Sequence, residues 1–318
     1  MKKFLMILLT AAFIPLNAQA LDAPFIVGGN TASQGEYPFM VAVAQAGGTP
    51  LTSRQFCGGV LIAPEWVLTA AHCVATEAGG VVTVDDPSSI TLYIGEFDLA
   101  NPSGTERSVS AIHVHQSYID NSAFGNGYRD IALLELSSPV GAEYASVLRP
   151  ADAFYYALPG DSVRVIGWGS TDGNIYTYPD RLQEVTLPVV SNSVCAAAMT
   201  PSNVYDYEIC AGYQAGGKDS CAGDSGGPML VSKNGGWVVA GIVSWGPVEC
   251  GVAGAYGVYA RVADNLDWIE SRTGELDYGN TASGGGGGGC SASENGNISL
   301  LLMSAALAVF IIRGRRKA

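Results

Sequence analysis

Basic residues are scarce: Lys and Arg total 16 in 318 residues against 29 Asp and Glu, and His occurs 3 times. Between residues 26 and 289 the imbalance sharpens to 10 basic against 27 acidic side chains. A surface of that sign repels nucleic acid and anionic headgroups and attracts cationic segments of other proteins, so no nucleic-acid partner is expected. No Cys-x-x-Cys pair and no His/Cys group at zinc spacing occurs, which removes a structural zinc as the reason for the 7 cysteines. Long apolar runs are missing too: Phe4–Phe13 and Ile298–Ile312 both fall short of the roughly 20 residues that span a bilayer unaided.

What is present begins with an address. Lys2-Lys3, the apolar run Phe4–Phe13 and Ala18-Gln19-Ala20 follow the basic, apolar, small-residue order of a secretory signal, so residues 1–20 are read as a signal peptide cut after Ala20. In an exported chain, 7 cysteines point to three disulfides and one leftover thiol, and Cys290 is the odd one because it alone lies in the C-terminal tail. From Ile26 to about Arg272 the chain shows many short apolar or alternating runs, such as Phe39–Val43, Ile90–Ile94, Val109–Val114, Ile131–Leu136 and Val238–Val243, separated by Gly, Pro, Asn, Asp and Ser. That pattern predicts an all-β sandwich or barrel. One helix is expected at the end, with Asp264 as its cap and Val262, Leu266 and Ile269 at helical spacing. His113 and His115 share strand parity as metal ligands would, but are read as a solvated face without a role.

Three segments carry chemistry together: Thr69-Ala70-Ala71-His72-Cys73, Asp130-Ile131-Ala132-Leu133-Leu134, and Cys221-Ala222-Gly223-Asp224-Ser225-Gly226-Gly227-Pro228. A serine hydroxyl is a poor nucleophile at neutral pH. Acyl transfer needs an imidazole to take its proton and a buried carboxylate to orient that imidazole, and the chain supplies one of each in the order His, Asp, Ser.

These segments, with Ile26-Val27-Gly28-Gly29, Cys57-Gly58-Gly59, Gly167-Trp168-Gly169, Ile209-Cys210-Ala211-Gly212-Tyr213 and Val243-Ser244-Trp245-Gly246, resemble the chymotrypsin/trypsin family of serine peptidases over roughly Ile26 to Arg272. The resemblance implies two antiparallel six-stranded Greek-key β-barrels with a C-terminal α-helix, a peptidase domain at 26–273 and a barrel boundary near 150. It implies Ser225 as nucleophile, His72 as general base and acid, Asp130 as orienting carboxylate supported by Ser244, and the amides of Gly223 and Ser225 as oxyanion hole. Of the fifteen pairings open to six cysteines, it selects Cys57–Cys73, Cys195–Cys210 and Cys221–Cys250. Asp219 falls at the base of the specificity pocket, Ser220 beside it, and Ser244, Trp245, Gly246 and Gly257 on its walls, which implies hydrolysis of protein substrates after Arg or Lys. Ile26, freed by cleavage after Phe25, would place its ammonium beside Asp224, so residues 21–25 are read as a propeptide. Phe25 is neither Lys nor Arg, so a different, activating protease is implied. Glu96 and Glu106 flank Asn101-Pro102-Ser103-Gly104 as in the calcium loop of animal trypsins, which implies a structural calcium there and no required cofactor.

The tail is separate. Residues 274–297, with Gly284–Gly289, form a linker; residues 298–318 hold an apolar segment reaching about 22 Å as a helix and the basic end Arg313-Gly314-Arg315-Arg316-Lys317. The tail resembles the GlyGly-CTERM sorting signal. That resemblance implies a Gram-negative bacterium, the type II secretion machinery, a rhomboid-like sorting protease, and a secreted or cell-surface protein first tethered by its C-terminal transmembrane helix; a monomer is expected. The alternative, from another class, is a catalytically inactive surface-binding module on a protease scaffold.

Overall fold

Short runs of β-branched and small residues, cut by Gly and Asp turns, build strands that curl into closed rings instead of open sheets. The computed structural model describes residues 26–48, 50–118, 129–172, 177–199 and 203–278. The signal, propeptide and tail readings, Cys290 included, lie outside those residues, as does the second of the two units into which the chain divides, 283–318.

Strands β1 (Met40–Gln45), β2 (Gln55–Ala63), β3 (Trp66–Thr69), β4 (Ile90–Ile94), β5 (Thr105–Val114) and β6 (Ala132–Leu136) close one barrel in the order β1-β2-β3-β6-β5-β4. Strands β7 (Ser162–Gly167), β8 (Gln183–Val190), β9 (Glu208–Ala211), β10 (Pro228–Lys233), β11 (Gly236–Trp245) and β12 (Gly257–Arg261) repeat that order as β7-β8-β9-β12-β11-β10. Pairing of β7 with β10, Arg164 opposite Leu230, closes the second ring. Closure matters because a ring leaves no unpaired strand edge to recruit another chain. Along β8 burial alternates residue by residue, the period of a strand with one face inward.

The expected two six-stranded barrels and C-terminal helix are therefore present. Helix α1 (Asn192–Ala198), capped by Ser191, and an exposed hairpin, Ala75–Ala78 with Val81–Val84, are additions that the periodicity did not suggest. Helix α2 (Leu266–Thr273) buries Leu266, Trp268 and Ile269 in the cluster that fills the first barrel, so this segment, which follows β12 of the second barrel, packs back against the first. Asp264 does not cap it: a 3-10 turn over Ala263–Asn265 leads into the helix, and Asp264 pairs with Arg261 at 3.2 Å instead. His115 is not solvated either; it is buried beside Trp268, ring centres 5.0 Å apart, and burial, with Arg129 and Arg272 nearby, lowers its pKa to about 4. His113 is partly exposed and faces Glu135 at 3.6 Å.

Candidate active site

Adjacency of β3 and β6 accounts for the first part of the site. Thr69 pairs with Ala132, so the chain leaving β3 and the chain entering β6 lie at the same end of the ladder. There His72 sits on a single 3-10 turn, Ala71–Cys73, and Asp130 stands two residues before β6. Asp130 Oδ2 accepts from His72 Nδ1 at 2.7 Å and from Ser244 Oγ at 2.6 Å, while Oδ1 accepts the His72 backbone N–H at 2.9 Å. Burial pushes the Asp130 carboxyl up, but the His72 charge and these donors outweigh it and hold the group below the usual carboxylate range. A buried carboxylate on Nδ1 keeps the proton there and leaves Nε2 for chemistry.

Ser225 lies in the loop before β10 and is carried to the same place by backbone contacts. Its carbonyl accepts Gly58 N–H at 2.7 Å, and Gly226 N–H donates to Val243 O at 2.9 Å. Gly226 has φ +77°, and a Cβ there would overlap Thr69 Oγ1 and the Gly58 carbonyl; only glycine lets the Ser225 loop press against the end of β3, three residues from His72. Cys57–Cys73 ties β2 to the histidine turn behind it, and Cys195–Cys210 and Cys221–Cys250 are the other two bridges, as the family resemblance implies. Cys57, His72 and Cys73 bring their ligand atoms within 4.8 Å of one another, yet both sulfurs are in the disulfide and offer no thiolate to a metal.

In this loop Cys221 donates to Asp224 Oδ2, Asp224 to Cys221 O, Gly226 to Val243 O and Gly227 to Asp224 O. Among the described residues no acceptor takes the amides of Gly223 and Ser225. Two unused N–H groups flanking a serine are what developing negative charge on a carbonyl oxygen requires. Gln55, unremarked in the sequence, donates Nε2 to the Gly223 carbonyl at 3.1 Å and so fixes how that peptide is turned.

Asp219, Ser220, Ser225, Ser244, Trp245, Gly246 and Gly257 line one pocket of about 110 Å³. Asp219 is 3 % exposed in that lining; Oδ2 accepts Gly251 N–H at 3.0 Å, and Oδ1, buried, has no hydrogen-bond partner. Burial raises its pKa to about 6, partly offset by the Gly251 and Ser220 amides. A Cβ at Gly257 would stand 3.0 Å from Asp219 Oδ1, so glycine there keeps the carboxylate open to the pocket.

Asp224 is fully buried, with Oδ1 accepting Gly169 N–H at 2.7 Å. Burial, against the pull of the Cys221 and Gly169 amides, pushes its pKa up to about 7. Ile26 is also fully buried, in the cluster that fills the second barrel, and Asp219 N–H donates to Val27 O at 3.1 Å. Asp219 and Asp224 thus bind protons more tightly folded than unfolded. Stability they contribute is complete below pH 4 and is lost as pH rises through about 6 and 7. In the chain uncut before Ile26, the urea midpoint should therefore fall by on the order of 1 M between pH 4 and 8, and a midpoint that rises across this window would contradict the burial described.

Glu96 and Glu106 have different surroundings. Glu96 is buried, its Oε1 accepting the amides of Phe97 (2.8 Å) and Asp98 (3.0 Å) and its Oε2 those of Ser103 and Gly104, both 2.9 Å. Glu106 is exposed. Four N–H donors already balance the Glu96 charge, so these residues as placed do not fit a calcium ion.

A family profile described as Trypsin matches residues 26–269. Trypsin-1 of Astacus astacus is 37 % identical over 251 residues, covering 77 % of this chain and 99 % of its own. The trypsin of Xenopus laevis is 35 % identical, covering 80 % and 93 %, and Trypsin II-P29 of Gallus gallus is 36 % identical, covering 78 % and 89 %. Both barrels and the cleft residues fall inside the profile match, and the chain belongs to the trypsin family of serine endopeptidases.

Proposed function

We infer that this peptidase cuts proteins after Arg or Lys by a serine acyl-enzyme route. One observation carries the specificity: a buried carboxylate oxygen, Asp219 Oδ1, without a hydrogen-bond partner at the end of a pocket that Ser225 also lines. An uncompensated buried charge is costly, and a guanidinium or ammonium entering the pocket removes that cost. With such a side chain seated, Ser225 Oγ attacks the scissile carbonyl, His72 takes its proton and returns it to the leaving amine, and Asp130 stabilises the imidazolium. The amides of Gly223 and Ser225 receive the oxyanion, and water then releases the acyl group by the same route.

Activation follows from Asp224. Cleavage before Ile26 would create an ammonium able to neutralise this buried carboxylate and would free Ile26 from φ 42°, a conformation that β-branched residues avoid. Phe25 at the cut does not suit the Asp219 pocket, so another protease is the activator. Export by the N-terminal signal, passage through a type II system and a rhomboid-like cut in the tail complete the reading, with the body acting at the cell surface or beyond it as a monomer. Mass spectrometry of a proteome digested by the activated enzyme tests it: Arg and Lys should precede nearly all cuts. A majority of cuts after aromatic or small residues would refute the pocket assignment. Failure to react with a fluorophosphonate would favour the inactive binding module.

A further inference from the structure

Glu208 is a carboxylate 2 % exposed in β9, followed by the buried apolar residues Ile209, Cys210 and Ala211. Its Oε1 accepts the indole N–H of Trp245 at 2.8 Å and its Oε2 the backbone N–H of Tyr205 at 2.7 Å. Among the described residues no cation pairs with that carboxylate: Arg261 donates to the Glu208 backbone carbonyl at 2.8 Å and pairs with Asp264.

Trp245 ends β11, just past a register shift that sets Ser244 and Trp245 toward two different buried acids. Ser244 Oγ donates to Asp130 at 2.6 Å and Trp245 Nε1 to Glu208. Ser244, Trp245 and Gly246 are also consecutive lining residues of the Asp219 pocket. One wall of that pocket is therefore pinned between the acid that orients His72 and an acid that touches neither His72 nor the pocket.

The physical need is plain. A buried indole N–H must find an acceptor, and Trp245 is only half-buried, so its ring has an alternative: it can turn outward and give its N–H to water. The acceptor decides which orientation persists. We propose that Glu208 is a positioning residue for peptide hydrolysis, clamping the Trp245 indole so that the Ser244–Gly246 wall is preformed before substrate arrives.

Such a clamp acts on ground-state binding, so its loss raises KM and leaves kcat nearly unchanged. It also has a proton dependence. Burial raises the Glu208 carboxyl to about 7, the Trp245 and Tyr205 donors lower it, and Asp130 adds a smaller upward push. The charged groups around it are Asp206 in the preceding turn, Arg261 on β12, Asp264 beyond it, and the Asp130–His72 pair across Ser244. Ionised, Glu208 accepts both N–H groups; protonated, it points an O–H at one of them. The clamp tightens as pH rises through about 7.

This rests on the reading of the pocket as a slot for basic side chains, but its first test does not. In ¹⁵N-labelled activated enzyme, the indole N–H resonance of Trp245, assigned with Trp245→Phe, should titrate near pH 7. The titration should vanish in Glu208→Gln, and in Glu208→Met the N–H should exchange with water about tenfold faster. With an Arg anilide, KM should rise about threefold in Glu208→Gln and about tenfold in Glu208→Met, with kcat within threefold of wild type. An indole resonance in Glu208→Gln that still titrates as in the wild type overturns the clamp. A KM unchanged in both variants, or a loss confined to kcat, overturns the positioning role. A titrating indole in an enzyme that ignores Arg and Lys substrates would instead sink the specificity reading and leave the clamp standing. Glu208→Gln, nearly isosteric, decides the matter if Glu208→Met does not fold.

Discussion

Replacing Ser225 with Ala is expected to lower kcat by about 10⁶, the scale at which an acyl-transfer relay is lost while binding and oxyanion stabilisation survive. The reason lies in how the parts are held. His72 and Asp130 are joined through 2.7 and 2.9 Å hydrogen bonds, and the amides of Gly223 and Ser225 belong to the backbone. Removing one hydroxyl leaves all of these in place but gives the imidazole no proton to take. Adding His72→Ala should therefore cost little more, since the three groups work as a unit. Single-turnover hydrolysis of an Arg anilide measures both variants, and fluorophosphonate labelling should disappear with Ser225. A residual rate within 100-fold of wild type would mean that another residue is the nucleophile.

Asp219→Ser should separate activity from stability. Its kcat/KM toward Arg and Lys anilides should fall by about 10⁴, because a guanidinium or ammonium would then be buried without a counter-charge, the kind of unpaired polar group that gives sites their steepest discrimination. Gly246 and Gly257 leave the walls open, so uncharged substrates should lose far less. Stability at neutral pH should move the other way. Burial holds Asp219 at a pKa of about 6, so its ionised form opposes folding at pH 7 and its removal relieves the fold. A urea midpoint measured at pH 7.5 should rise in the variant as activity collapses, the trade expected where a site keeps a destabilising charge for its substrate. Unchanged Arg and Lys hydrolysis would remove Asp219 from substrate recognition.

Much of the fold and of the cleft is legible in the order of residues alone. Short alternating runs separated by turn residues indicate strands, and the named runs all fall within or overlap strands of the two barrels. The three disulfides that the family resemblance implies are present, and Asp130 is bonded to His72 and Ser244. Local rules fail where they meet tertiary demands. Asp264 looks like a cap, but Arg261 and a 3-10 entry claim it; His115 continues the polar face of a strand in the sequence, but the Trp268 ring of α2 covers it. The partners of Glu96 are likewise set by folding, since the turn it precedes folds back and offers it backbone amides.

Chemical kind was set by residue type and order: a hydroxyl, an imidazole and a carboxylate can do little else together, and β-periodic runs cannot form a helical bundle. The partners of each buried charge were settled only by folding, because whether a carboxylate meets four amides, an imidazole, an indole or nothing depends on which distant strands the barrels bring side by side. Glu96, Asp130, Glu208 and Asp219 are much alike as letters. Their desolvation and their donors, which exist only in the closed fold, make one a loop anchor, one the partner of an imidazole, one the proposed clamp and one the proposed slot for positive charge.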